Sequence, residues 1–139
     1  MDLKLALVIT SLWLGFVLAI SFFETPIRFS APLVDLKIGV SIGKPLFKYL
    51  HFIEWIFFFT TSALCIQKDI STTKLFIMSG LLLILLSQSA LLIVLNKRAQ
   101  ILISGQELVP SLHHTLYVYL EIIKTLLLLR FITFFFKRI

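Results

Sequence analysis

His51 and Glu54 stand three residues apart, and His114, Tyr117, Glu121 and Lys124 follow one another at intervals of three, four and three. Such intervals keep side chains on one face of a helix. Both groups lie inside long apolar stretches. Ionisable side chains are costly in hydrocarbon, so there they face protein or a water-filled cavity and mark a functional site. Lys44 and Phe47 extend the first stripe, and His113 lies beside the second. Trp13, Val17, Ser21 and Glu24 form a third, at intervals of four, four and three.

Two chemistries suit these residues, and a membrane-embedded enzyme or redox protein acting on a small hydrophobic substrate is expected to use one of them. The first is metal binding. Histidines and carboxylates on facing helices build the di-metal centres of four-helix bundles. His51-x-x-Glu54 places two ligands on one face, in the reverse of the usual Glu-x-x-His order. Glu24, His114 and Glu121 would complete a shell suited to iron, manganese or zinc. A b-type haem between His51 and His113 or His114 asks only for axial histidines on facing helices. The second is acid–base work by Glu54, His114, Tyr117, Glu121 and Lys124. That suits transfer chemistry on a small hydrophobic substrate, or proton-coupled movement of a small molecule or metal ion. Arg28, Asn96 and Arg98 are candidate substrate contacts, and Arg28 would neutralise an anion. A structural account stands beside these. In it Glu121 and Lys124 neutralise each other, and Tyr49, Trp55, Tyr117 and Tyr119 form an interfacial aromatic belt. The chain would then be an accessory subunit of a larger membrane complex.

The elements that must position these residues follow from composition. Of 139 residues, 59% are apolar, and the mean hydropathy is +1.03. A soluble domain of this size would expose too much of that surface, so a single integral membrane domain is expected. The formal charge of +6 comes from lysines and arginines between apolar runs, which meet lipid headgroups and do not suggest nucleic acid. Cys65 is the only cysteine, which excludes an internal disulfide and a cysteine-based zinc site.

A span needs about twenty apolar residues. Four stretches qualify, at about 5–23, 46–66, 73–95 and 111–136, and predict an all-α, up-down-up-down four-helix bundle. The first is expected to be a retained span, because Phe22-Phe23-Glu24 stands where a cleavage site would need small residues. Pro45 suits the first turn of the second helix. Ser71 or Thr72 suits the cap of the third. Gly105 suits a helix stop, so the third helix is expected to continue to Ser104. Gln67 to Thr72 is expected to be a tight polar turn. Glu24 to Lys44 is predicted as a long, partly ordered connection, lying on the membrane surface or folding over the bundle as a lid. Gly39 and Gly43 within it are expected to be turn glycines rather than a helix-contact pair.

In that topology Glu24, His51, Glu54, Asn96, Arg98, Gln100 and the His113–Lys124 stretch share one side of the membrane, opposite the termini. Lysines and arginines divide almost evenly between the two sides. If Arg28 and Lys44 belong to the site, the termini are cytoplasmic. A homo-oligomer is compatible with the sequence.

Leu12-Trp-Leu-Gly15, Phe22-Phe-Glu-Thr-Pro26, Gly43-Lys-Pro-Leu-Phe47 and the closing Leu112-His-His with Tyr117 and Glu121 resemble small four-span bacterial membrane proteins. The chain is similar to the transmembrane-protein-205-like and anthrone-oxygenase-like groups, and more loosely to copper-resistance-D-like proteins. The resemblance implies a four-helix bundle in a bacterial inner membrane and a site around the histidines of the last helix. It implies no particular reaction.

Overall fold

A computed structural model describes residues 2–66 and 71–137. Among them, regular secondary structure is entirely helical. α1 is Asp2–Val17, followed by a π-helical segment, Leu18–Glu24, and the short α2, Thr25–Ser30. α3 is Leu36–Ile66, α4 is Thr72–Ile103 and α5 is His113–Phe136. The stretches Leu3–Ser30, Leu36–Ile66 and Thr72–Ile103 are each long and apolar enough to cross a membrane. At about 1.5 Å per residue, helices such as α3 and α4 outreach a hydrocarbon core of about 30 Å.

The expected fourth span is the exception. α5 carries Glu121, Lys124 and Arg130 in its middle turns, which lowers its hydropathy. Glu121 and Lys124 are buried in the bundle, while Val118, Ile122, Ile123, Leu126 and Leu129 are exposed. Between Val118 and Leu129 the helix therefore presents a largely apolar exterior, and exposed Arg130 follows it.

The second helix starts ten residues earlier than its apolar run suggested, at Leu36 rather than Leu46. Asp35 starts it: its Oδ1 accepts from Ile38 N at 2.7 Å and its backbone carbonyl from Gly39 N at 2.9 Å. Pro45 lies inside the helix instead of in its first turn. The long connection is mostly helix, and only residues 31–35 link α2 to α3. Gly39 and Gly43 form a helix contact, contrary to expectation. A Cβ on Gly39 would fall 2.2 Å from the Phe29 ring, and one on Gly43 would fall 2.8 Å from Arg28 Nη1. Missing side chains there let α2 lie directly against α3.

The ends of α4 follow the sequence. Ser71 Oγ accepts from Lys74 N. At the far end Gly105 has φ +85°, with Gly105 N donating to Leu102 O at 3.0 Å and Gln106 N to Ile101 O at 3.2 Å. This paired closure satisfies carbonyls that a helix end leaves open. Most of the turn expected over Gln67 to Thr72 lies outside the described residues.

α1 packs on α3 and α5, and α4 packs on the same two helices. The apolar core draws on the whole of α1 (Ala6, Trp13, Val17), the later part of α3 (Phe58, Cys65), the first part of α4 (Ile77, Leu81, Leu85) and the later part of α5 (Leu128, Phe131, Phe135). Lys74, expected as a flanking lysine, is buried. Apart from Thr10, Thr61 and Lys74, the other buried polar side chains lie beyond this core.

Candidate functional site

Four helical stripes converge just past the apolar core. α3 supplies Glu54, α4 supplies Gln88, and α5 supplies Glu121 and Lys124; each is at most 2% exposed. Glu121 and Lys124 are three residues apart, so they lie on one face. The Lys124 ammonium joins three groups. It pairs with Glu54 Oε1, lies 2.9 Å from Glu121 Oε2, and donates to Gln88 Oε1 at 2.9 Å. Gln88 Nε2 donates to Glu121 Oε2 at 2.5 Å. The carboxamide thus uses one end for the cation and the other for a carboxylate.

A second ring of donors fixes the carboxylates. Trp13 Nε1 donates to Glu54 Oε1 at 3.1 Å, and Ser21 Oγ donates to Glu121 Oε1 at 2.7 Å. Ser21 belongs to the π-helical segment. Such segments re-aim side chains within otherwise regular helices and recur at functional sites. Trp55 Nε1 donates to His51 Nε2 at 3.1 Å, and Ser89 Oγ is 2.7 Å from the same nitrogen. His51 Nδ1 faces Glu54 Oε2 at 3.6 Å, and neither atom has a hydrogen-bond partner. Two carboxylates thus share one ammonium, with an imidazole beside one of them.

A cavity of about 570 Å³ opens beside this cluster. Its walls come from the π segment, α2, the start of α3, the end of α4 and the start of α5, and they include Arg28, Lys44, Arg98, His114, Tyr117 and Glu121. Ser21 and Glu121 belong to both the cluster and the cavity. The ring of Phe47 stands edge-on to that of Tyr117, with centroids 6.0 Å apart. Tyr117 is buried and its hydroxyl has no hydrogen-bond partner. Arg28 is also buried, with Glu24 Oε1 3.6 Å from its Nε. Arg98 Nη2 donates to Val109 O at 2.7 Å and so ties the α4–α5 connection to α4.

The candidate residues divide into three groups. Glu54, Glu121, Lys124 and His51 meet in the buried cluster. Arg28, Asn96, Arg98, His114 and Tyr117 line the cavity. Glu24 is half-buried beside Arg28, while His113 is exposed and off the cavity wall. The expected metal shell of Glu24, His51, Glu54, His114 and Glu121 does not assemble. Among the described residues, no group of three or more His, Cys, Asp or Glu side chains could hold a metal ion. The physical reason is Lys124, whose ammonium fills the space between Glu54 and Glu121 that a cation would need. A haem bridge fits no better. His51 Nε2 is engaged by Trp55 and Ser89, and His113 and His114 are both exposed.

Gln88 and Ser89 went unrecognised as site residues. Their signal is present: Ser87-Gln88-Ser89 interrupts an apolar run at the depth of Glu54. The sequence reading instead favoured Asn96, Arg98 and Gln100, nearer the helix end; Gln100 is exposed. Among known proteins, no family model matches the chain, and no curated protein or solved structure is similar to it.

Proposed function

We propose that the chain is an integral membrane protein of four spans, running up-down-up-down, that binds a small hydrophobic molecule in the cavity and exchanges a proton with it at Glu121. The observation that carries this reading is the double membership of Glu121. It is part of a buried cluster in which two carboxylates share one ammonium, and it is also a wall of the cavity. A proton taken up at Glu121 would be shared through Lys124 and Gln88 with Glu54. Tyr117 is a second proton-bearing group on the same wall.

The core supports the topology, because it pairs the first half of the Leu3–Ser30 stretch and early α4 with late α3 and α5. The apolar exterior of α5 supports a fourth span. With Arg28, Lys44 and Arg98 assigned to the cavity, the remaining flanking cations favour cytoplasmic termini. Acid–base chemistry is retained from the sequence reading, whereas metal and haem chemistry have no support in the side-chain geometry.

The test is the content of an organic extract of the detergent-purified protein, read by mass spectrometry. The native chain is expected to carry about one small hydrophobic molecule per protein, at the scale of a site this size. Ala99→Trp, which fills the cavity wall, is expected to lose it. Equal extracts from both proteins would refute the binding role. Glu121→Gln is expected to keep the molecule and to lose proton exchange when it is added back in weakly buffered solution.

A further inference from the structure

The lining of the cavity is electrically lopsided. Arg28, Lys44 and Arg98 are its cations, and Glu121 is its one carboxylate. Glu121 is already paired with Lys124. Glu24 is only a partial counter-ion for Arg28: the 3.6 Å contact is too long for a hydrogen bond, and Arg28 Nε and Nη1 have no hydrogen-bond partner. Among the described residues, Lys44 and Arg98 enter no ion pair.

The fold makes room for this guanidinium. Gly43 has no side chain, and a Cβ there would sit 2.8 Å from Arg28 Nη1. Apart from Ser21, Thr25, Asn96, His114 and Tyr117, the rest of the wall is hydrocarbon, with Phe22, Phe29, Val40, Leu92 and Leu95 among its members. Oily walls with three cations complement a molecule that is itself divided into an apolar chain and an anionic end. A cavity of about 570 Å³ falls in the roughly 300–1,000 Å³ range of small-molecule sites, which suits one hydrocarbon chain rather than two.

We propose that the cavity takes a single-chain amphiphile whose head is an oxyanion, a carboxylate or a phosphate, held by Arg28, Lys44 and Arg98. A guanidinium matches either head with paired N–H donors, which an ammonium cannot do. Burial of Arg28 strengthens the contact, because a buried charge is screened less than an exposed one. The inference rests on the cavity being a ligand site and names the class of its ligand.

The test uses the full chain in neutral detergent with tritiated palmitate as the probe. One palmitate per chain is expected. Unlabelled palmitate or palmitoyl lysophosphatidate should displace it at concentrations about tenfold or more below those needed with hexadecanol, the scale of one charge-assisted contact. The stronger of the two acidic competitors identifies the head. Arg28→Gln should weaken palmitate binding about tenfold or more, and Arg28→Lys should recover part of the loss. The competition is measured on the native protein, so it stands even if Arg28→Gln does not fold. Lys44→Gln, at a half-buried position, gives a second variant and should weaken binding about threefold. If hexadecanol competes as well as palmitate, the oxyanion head is wrong while the hydrophobic cavity survives. If neither palmitate nor hexadecanol binds, both the head and the cavity's ligand role fall.

Discussion

In one half of the bundle Trp13, Leu81, Leu128, Phe131 and Phe135 fill the interior; in the other, Glu54, Gln88, Glu121 and Lys124 do. Both sets are almost completely buried; α1, α4 and α5 supply the first, and α3, α4 and α5 the second. The apolar half needs mainly shape, with Thr10, Thr61 and Lys74 as its few buried polar side chains. The polar half needs every donor and acceptor matched, because an unmatched buried charge is far more costly than a void. The match there is close but incomplete. Lys124 and Gln88 are satisfied on several sides, whereas His51 Nδ1, Glu54 Oε2 and Tyr117 Oη lack hydrogen-bond partners. An interior built only for stability would repeat the apolar half, since replacing a buried ion pair by apolar residues is often neutral or stabilising. The polar half lies against the cavity, which is where incompleteness has a use.

Single and multiple substitutions should separate the two halves. The largest effect is expected from Lys124→Met, which leaves Glu54 and Glu121 facing each other without their cation. It should cost about 3–5 kcal/mol by thermal unfolding in detergent. Adding Glu54→Gln and Glu121→Gln should restore most of that loss. Phe131→Ala in the apolar half should cost a similar amount, about 3–5 kcal/mol, with no polar change able to rescue it. A failed rescue of Lys124→Met would erase the distinction between the halves.

Trp13 joins the two regions. Its ring stacks on Phe57 with centroids 6.4 Å apart, and its Nε1 donates to Glu54. Trp13→Phe keeps most of the packing and removes the donor, so a loss of about 1.5–3 kcal/mol is expected. If stability is unchanged, the hydrogen bond contributes nothing net and the boundary between halves is purely apolar. Gly39→Ala should cost about 1–3 kcal/mol, because its methyl meets the Phe29 ring in a tightly packed contact. Gly15→Ala is the control: nothing lies within 4 Å of its Cβ, and a gain of up to about 1 kcal/mol is expected in helix. The smallest effect belongs to exposed His113. His113→Ala should change stability by less than about 0.5 kcal/mol and leave palmitate binding unaltered, while His51→Ala should disturb the cluster.

Much of this arrangement is written in residue spacing. Tyr117, Glu121 and Lys124 repeat at helical intervals, and all three are buried on one face of α5. His51 and Glu54 do the same on α3. The stripe fails at His114, which is exposed because it lies in the first turn, where α5 has fewer neighbours. Gly105 marks the end of α4 through a conformation that glycine adopts readily. The start of α3 was not legible. Gly39, Gly43 and Pro45 read as turn residues, yet Asp35 begins a helix that runs through all three. The glycines are explained by close contact with α2, a tertiary fact that spacing alone does not declare. The π segment was equally hidden, because nothing in Leu18–Glu24 distinguishes it from ordinary helix until Ser21 is seen to reach Glu121.

The most direct test of the central claim, that the buried charges serve the cavity and not the fold, is the thermal unfolding of Glu54→Leu/Gln88→Leu/Glu121→Leu/Lys124→Leu. The account predicts a variant that folds and unfolds at the native temperature or above it, as apolar replacements of buried ion clusters often do. A variant that fails to fold, or that unfolds well below the native chain, would contradict it and make the cluster a structural element.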